Sequence, residues 1–71
     1  MNTGEKIKAM RIKRGYTQEE LANKAGVSRI TIIKLETGSQ RVTTNKTLSL
    51  LGQALECEPA YFLEWKLSIL N

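Results

Sequence analysis

Arg29, Ile30, Ile33 and Lys34 are the residues whose types and spacing most invite a chemical reading. On a helix turning about 100° per residue they share one face, roughly opposite Thr31, Ile32 and Leu35. The second group is the inward side of such a helix, so the first must point outward. Isolated apolar residues on a surface are common and need no explanation. Two branched apolar side chains between two long cations make a poorer solvent face. They suit a surface that offers hydrogen-bond acceptors and methyl groups side by side. The floor of a DNA major groove is such a surface. Arginine forks onto guanine O6 and N7, lysine reaches the same atoms more loosely, and isoleucine packs on a thymine methyl.

Other chemistry is poorly equipped. Among 71 residues there is no histidine and a single cysteine, Cys57. The commonest general base is therefore missing, as is half of every Ser-His or Cys-His pair. No intrachain disulfide can form, and a zinc site would need carboxylates and one thiol. No enzyme activity, metal or cofactor is expected. No apolar stretch is long enough to span a membrane or resembles a signal peptide. The lone thiol fits a reducing cytoplasm, where Cys57 is expected to fill core between the last helices, its thiol pKa raised by Glu56 and Glu58.

The net charge of +4 points to an anionic partner, and its distribution says more. Residues 1–46 hold ten of the eleven Lys and Arg against four acids, a balance of +6. Residues 47–71 hold Lys66 against Glu56, Glu58 and Glu64, a balance of −2, and three of the four aromatics, Tyr61, Phe62 and Trp65. One end is dressed for nucleic acid and the other for apolar contact.

The elements that must position these groups read as helices. Glu5 to Arg14 places Ile7 and Met10 inward and stops at Gly15. Thr17-Gln18-Glu19-Glu20 is a capping box that opens a second helix carrying Leu21, Ala22 and Ala25 and closing at Gly26. Ser28 caps a third, which runs to Thr37 before Gly38. Its Ile30-Thr31-Ile32-Ile33 run is β-branched and would favour a strand in isolation, but the cap, the glycine and the ten-residue length favour helix. Thr44 or a neighbour caps a fourth helix with Leu48, Leu51 and Leu55 in a buried stripe beside Ala54. Pro59 suits the first turn of a fifth, carrying Tyr61, Phe62 and Trp65. The expectation is an all-α fold of five helices.

Two short helices joined by Gly26-Val27-Ser28 form a helix-turn-helix, whose second helix enters the major groove. By itself such a corner also occurs in small helical proteins that bind no DNA. The resemblance is more specific. Arg11, the run Arg14-Gly15-Tyr16-Thr17-Gln18-Glu19-Glu20-Leu21-Ala22, Ala25-Gly26-Val27-Ser28, Thr31-Ile32 and Leu35-Glu36-Thr37-Gly38 resemble the phage-repressor/Cro (xenobiotic-response-element, XRE, type) helix-turn-helix family. The likeness spans residues 5 to about 63. It implies a five-helix, lambda-repressor-like DNA-binding domain with the helix-turn-helix at helices 2 and 3. The activity it implies is that of a transcriptional regulator, usually dimeric.

By the same resemblance Ser28, Arg29, Ile30 and Lys34 match base-contacting positions, with Ile33 beside them. Gln18 matches a residue that anchors the start of the second helix to a backbone phosphate, and Asn23, Thr37 and the loop through Arg41 match phosphate-clamping positions. Arg11 and Glu36 match an ion pair joining the first and third helices. The wheel supports that pair, because Glu36 falls between core and groove faces, where an unpaired carboxylate is costly. Ile30 departs from the family, which often places a polar base reader there, so methyl contact replaces hydrogen bonding at that position.

Residues 1–64 are expected to form the DNA-binding domain and 65–71 an apolar C-terminal tail. Trp65, Leu67, Ile69 and Leu70 are expected to meet a second chain. Double-stranded DNA read by a homodimer at a pseudo-palindromic operator is the expected partner, with repression the expected outcome. Two alternatives stay open: an antitoxin that binds its own operator and a toxin, and a protein-interaction module that binds no DNA.

Overall fold

Asn2 starts the first helix. Its Oδ1 accepts from the Glu5 backbone N–H at 2.8 Å, while the Asn2 N–H donates to Glu5 Oε1 at 3.0 Å. This reciprocal capping box, typically worth about 1 kcal/mol, sets α1 at Thr3–Lys13 in the computed structural model, which describes residues 2–62. Thr17 and Glu20 form a second box, with bonds of 3.0 and 2.8 Å, opening α2 at Gln18–Ala25. Ser28 Oγ accepts from the Ile30 N–H at 3.2 Å to open α3, Arg29–Thr37. Thr44 Oγ1 accepts from the Thr47 N–H at 3.1 Å and opens α4, Asn45–Leu55. The β-branched run in α3 is helical, because its cap and core contacts outweigh a weak local preference.

The fifth helix is corrected. Among the described residues the chain has four α-helices, followed by one 3₁₀ turn at Pro59–Phe62. The Tyr61 N–H donates to Glu58 O at 2.9 Å, an i to i−3 bond. That closure is the tighter 3₁₀ geometry, and it delivers Phe62 to the core. The remainder of that expected helix, and the tail contacts assigned to Trp65, Leu67, Ile69 and Leu70, lie outside the described residues.

Ile7, Leu21, Ile32, Leu51, Leu55 and Phe62 are fully buried, each contributing about 1.5–3 kcal/mol of apolar burial. They bring α1 and α2 against α3, α2 against α4, and the 3₁₀ turn against both α1 and α4. Met10, Tyr16, Val27 and Cys57 pack around this centre. Thr3 Oγ1 donates to Phe62 O and joins the two ends of the described chain. The turn between α2 and α3 depends on Gly26, whose φ of +69° is strained for other residues. There its N–H and that of Val27 both donate to Ala22 O.

Two close approaches have no counterpart in local sequence signals. A Cβ on Gly4 would stand 1.8 Å from Leu35 O, so the backbones of α1 and α3 touch there. At the end of α4, Glu56 takes φ +58°, and Arg14 caps the helix from outside. Its Nε donates to Leu55 O at 2.9 Å and its Nη2 to Glu56 O at 3.4 Å. A guanidinium on the last carbonyls also meets the negative end of the helix dipole.

Gly4→Ala should raise the intrinsic helix propensity of α1 and still lower stability by about 2–3 kcal/mol, because α1 must move off α3. Urea unfolding measures this; an unchanged or higher midpoint would contradict the close approach. Arg14→Ala should cost about 1 kcal/mol in the same assay through the lost cap, with no gain from removing a charge.

Candidate nucleic-acid interface

Glu36 organises the site. It sits on the last turn of α3 with its side chain only 3% exposed, and Arg11 reaches it from α1. Arg11 Nε donates to Glu36 Oε2 at 2.8 Å and Nη2 to Oε1 at 3.0 Å, a fork-to-fork pair. The third guanidinium nitrogen, Nη1, donates to Tyr16 O at 2.9 Å, in the turn before α2. Gln18, the first residue of α2, adds a bond from Nε2 to Glu36 Oε1 at 3.1 Å. One carboxylate thus ties together α1, α2 and α3. The hydrogen bond to Glu36 raises the Arg11 pKa above its ordinary value, with the carboxylate's charge adding to it and burial working against it.

This anchorage fixes which way α3 faces. Ile32 and Leu35 are buried and Thr31 is half-buried, so the helix is held to the core along that side. Arg29, Ile30 and Lys34 stand exposed on the other, Ile30 with 63% of its surface open. Ser28 is exposed at the helix start, where its hydroxyl is already used as the cap. Ile33 is half-buried although the wheel directs it outward. Arg29 and Thr37 lie one turn to either side, and side chains at that spacing cover one another. Among the described residues neither Arg29 nor Lys34 is in an ion pair, so the charge of this face is uncommitted.

The expected phosphate contacts lie on α2, at the end of α3 and in the loop that follows it. Asn23 is exposed on α2, and Thr37 is exposed at the end of α3, where its hydroxyl donates to Lys34 O at 3.3 Å. Arg41 is exposed in the following loop. That loop is pinned by Gln40, whose N–H donates to Lys34 O at 3.0 Å and whose side-chain amide donates to Val42 O at 2.9 Å. Gln18 is half-buried and held by Glu36, which its position at a first turn does not announce. A helical wheel reports direction, but not a carboxylate arriving from another helix.

Cys57 is half-buried against the core. Burial foremost, then the nearby Glu58 charge, raises its pKa, while Arg14 opposes them. Burial therefore exceeds the carboxylate effect expected from sequence. Among the described residues no group of three His, Cys, Asp or Glu could hold a metal ion, and no helix is long and apolar enough to cross a membrane.

Comparison with known proteins agrees with this fold. Residues 7–62 match the family model for the helix-turn-helix. A search of curated protein sequences finds no significant match. Among solved structures, SinR, described as the master regulator for biofilm formation, in complex with DNA, is 29% identical. The match covers 87% of this chain and 98% of that one, with a TM-score of 0.84. SinR in its complex with SinI is also 29% identical, over 96% of this chain and 66% of that one, with a TM-score of 0.82. The repressor c2 of P22, in complex with a synthetic operator, is 33% identical, over 90% of this chain and 96% of that one, with a TM-score of 0.80. With the model matched along most of the chain and the repressor fold reproduced around the same turn, the chain belongs to the helix-turn-helix family of the phage-repressor/Cro (XRE) type, a family of non-enzymatic, DNA-binding transcriptional regulators.

Proposed function

We propose that this chain is a repressor that binds a pseudo-palindromic operator as a homodimer, with α3 of each protomer in successive major grooves about 34–36 Å apart. The observation that carries this reading is the outward face of α3. It presents Arg29 and Lys34, both free of ion pairs among the described residues, on either side of an exposed Ile30. Arg29 and Lys34 read purine acceptors and Ile30, with Ile33 at its margin, packs on thymine methyls. Ser28 contacts a base edge at the start of α3. Gln18, Asn23, Thr37 and Arg41 take phosphates on either side and fix register without carrying sequence information. The solved complexes of SinR with DNA and of the P22 c2 repressor with an operator support the docking mode by similarity. A second reading, in which a protein partner also engages the domain, is favoured by the likeness to SinR in its complex with SinI.

Selection of bound sequences from a random DNA pool should return an inverted repeat with half-sites one helical turn apart. A site without symmetry would contradict the dimer. On the selected site, Arg29→Ala should cost about 1–3 kcal/mol and relax one base position. Arg41→Ala should weaken selected and random DNA by the same factor and reduce the salt slope by about 0.9 per protomer. Equal effects of the two substitutions on selected and random DNA would refute these separate roles.

A further inference from the structure

A shallow groove runs between α1, the start of α2 and the end of α3, lined by Lys8, Arg11, Thr17, Gln18, Glu36 and Thr37. Two cations border it, and they are not equivalent. Arg11 uses each of its three guanidinium nitrogens once, on Glu36 and on Tyr16 O, so its charge is matched by a carboxylate. Lys8 lies one turn earlier on the same side of α1, is exposed, and is in no ion pair among the described residues. The groove's net unspent charge is therefore the Lys8 ammonium. Beside it, Glu36 has fixed the Gln18 carboxamide with one N–H on Oε1, leaving its second N–H to donate elsewhere. Thr37 also lines the groove, its hydroxyl proton already given to Lys34 O.

We infer that Lys8 is a DNA-binding residue: its ammonium pairs with one backbone phosphate seated in this groove, beside the Gln18 amide that Glu36 orients. This rests on the DNA-binding reading above and extends it to α1, to which no contact with DNA has so far been assigned. The pairing is Coulombic and independent of base sequence, since an ammonium is a point charge without the planar fork that arginine offers. It places a contact on α1 that sets how far the whole domain, and not only α3, is drawn down onto the duplex. Glu36 is a positioning residue here, because it acts on the phosphate only through the amide it orients.

The test is the salt dependence of binding, by fluorescence anisotropy, of the full chain to selected and random duplexes. Lys8→Gln keeps most of the side-chain stem and removes the charge. It should lower the magnitude of the salt slope by about 0.9 per protomer and reduce affinity for both duplexes by one common factor. Its urea midpoint should be unchanged, as expected of an exposed side chain. Lys13→Gln, which removes the same charge from α1 outside the groove, serves as control and should leave the slope near that of the wild type. Lys8→Arg should restore it. A Lys8→Gln slope equal to that of the wild type or of Lys13→Gln, with binding otherwise intact, would overturn the assignment while leaving the regulator reading in place. Absence of salt-dependent binding by the wild type would overturn both.

Discussion

The Glu36 carboxylate is the constraint on which the site depends. It accepts from Arg11 through two nitrogens and from Gln18 through one, while Arg11 also holds Tyr16 O. Burying an ion pair is not by itself a source of stability, because desolvation offsets much of the attraction. Breaking one is another matter: a carboxylate with a side chain 3% exposed, left without its cation, is strongly disfavoured. What the pair supplies is geometry. Apolar contacts between Ile32, Leu35 and the core are non-directional and would tolerate some rotation or sliding of α3. A bidentate pair at fixed angles tolerates little. The domain thus holds α3, with Arg29, Ile30 and Lys34 exposed on its outer face, by hydrogen bonds at one end and by packing along its length.

A chain of this size has few means of holding itself together. It has no histidine and one cysteine, so neither a disulfide nor an ordinary zinc site can staple it. The described structure relies instead on caps and close backbone contact. Four side-chain N-caps open the four helices, Gly4 lets α1 touch α3, and Arg14 closes α4. The basic residues divide accordingly. Arg11 and Arg14 are committed to carbonyls and a carboxylate within the fold, whereas Arg29, Lys34 and Arg41 stand exposed. The charge balance of the first 46 residues therefore overstates what is available to DNA, and position decides which cations count.

Much of this was legible where the signal is local. Thr17 with Glu20, Ser28, and Thr44 announce helix starts by side-chain type and spacing, and Gly26 marks the turn. Asn2 with Glu5 carries the same signature, and this capping box starts α1 at Thr3, two residues before the start expected at Glu5. The outward face of α3 followed from its periodicity, except that Ile33 is partly covered. What could not be read depends on separate segments meeting. Nothing near Gly4 foretells Leu35 O, and nothing near Gln18 foretells Glu36. The expected fifth helix differs in its local geometry: Pro59 marks the start well, but the bond from the Tyr61 N–H to Glu58 O closes a 3₁₀ turn and not an α-helical one.

The claim that Glu36 locks α3 to α1 is tested most directly by a double-mutant cycle in urea unfolding. The cycle compares the wild type, Arg11→Met, Glu36→Gln and the double variant. If the pair is the directional link between the helices, each single change leaves its partner unmatched, and the coupling energy should be about 1.5–3 kcal/mol. Additive losses, with coupling below about 0.5 kcal/mol, would mean that packing alone orients α3 and that the carboxylate is incidental.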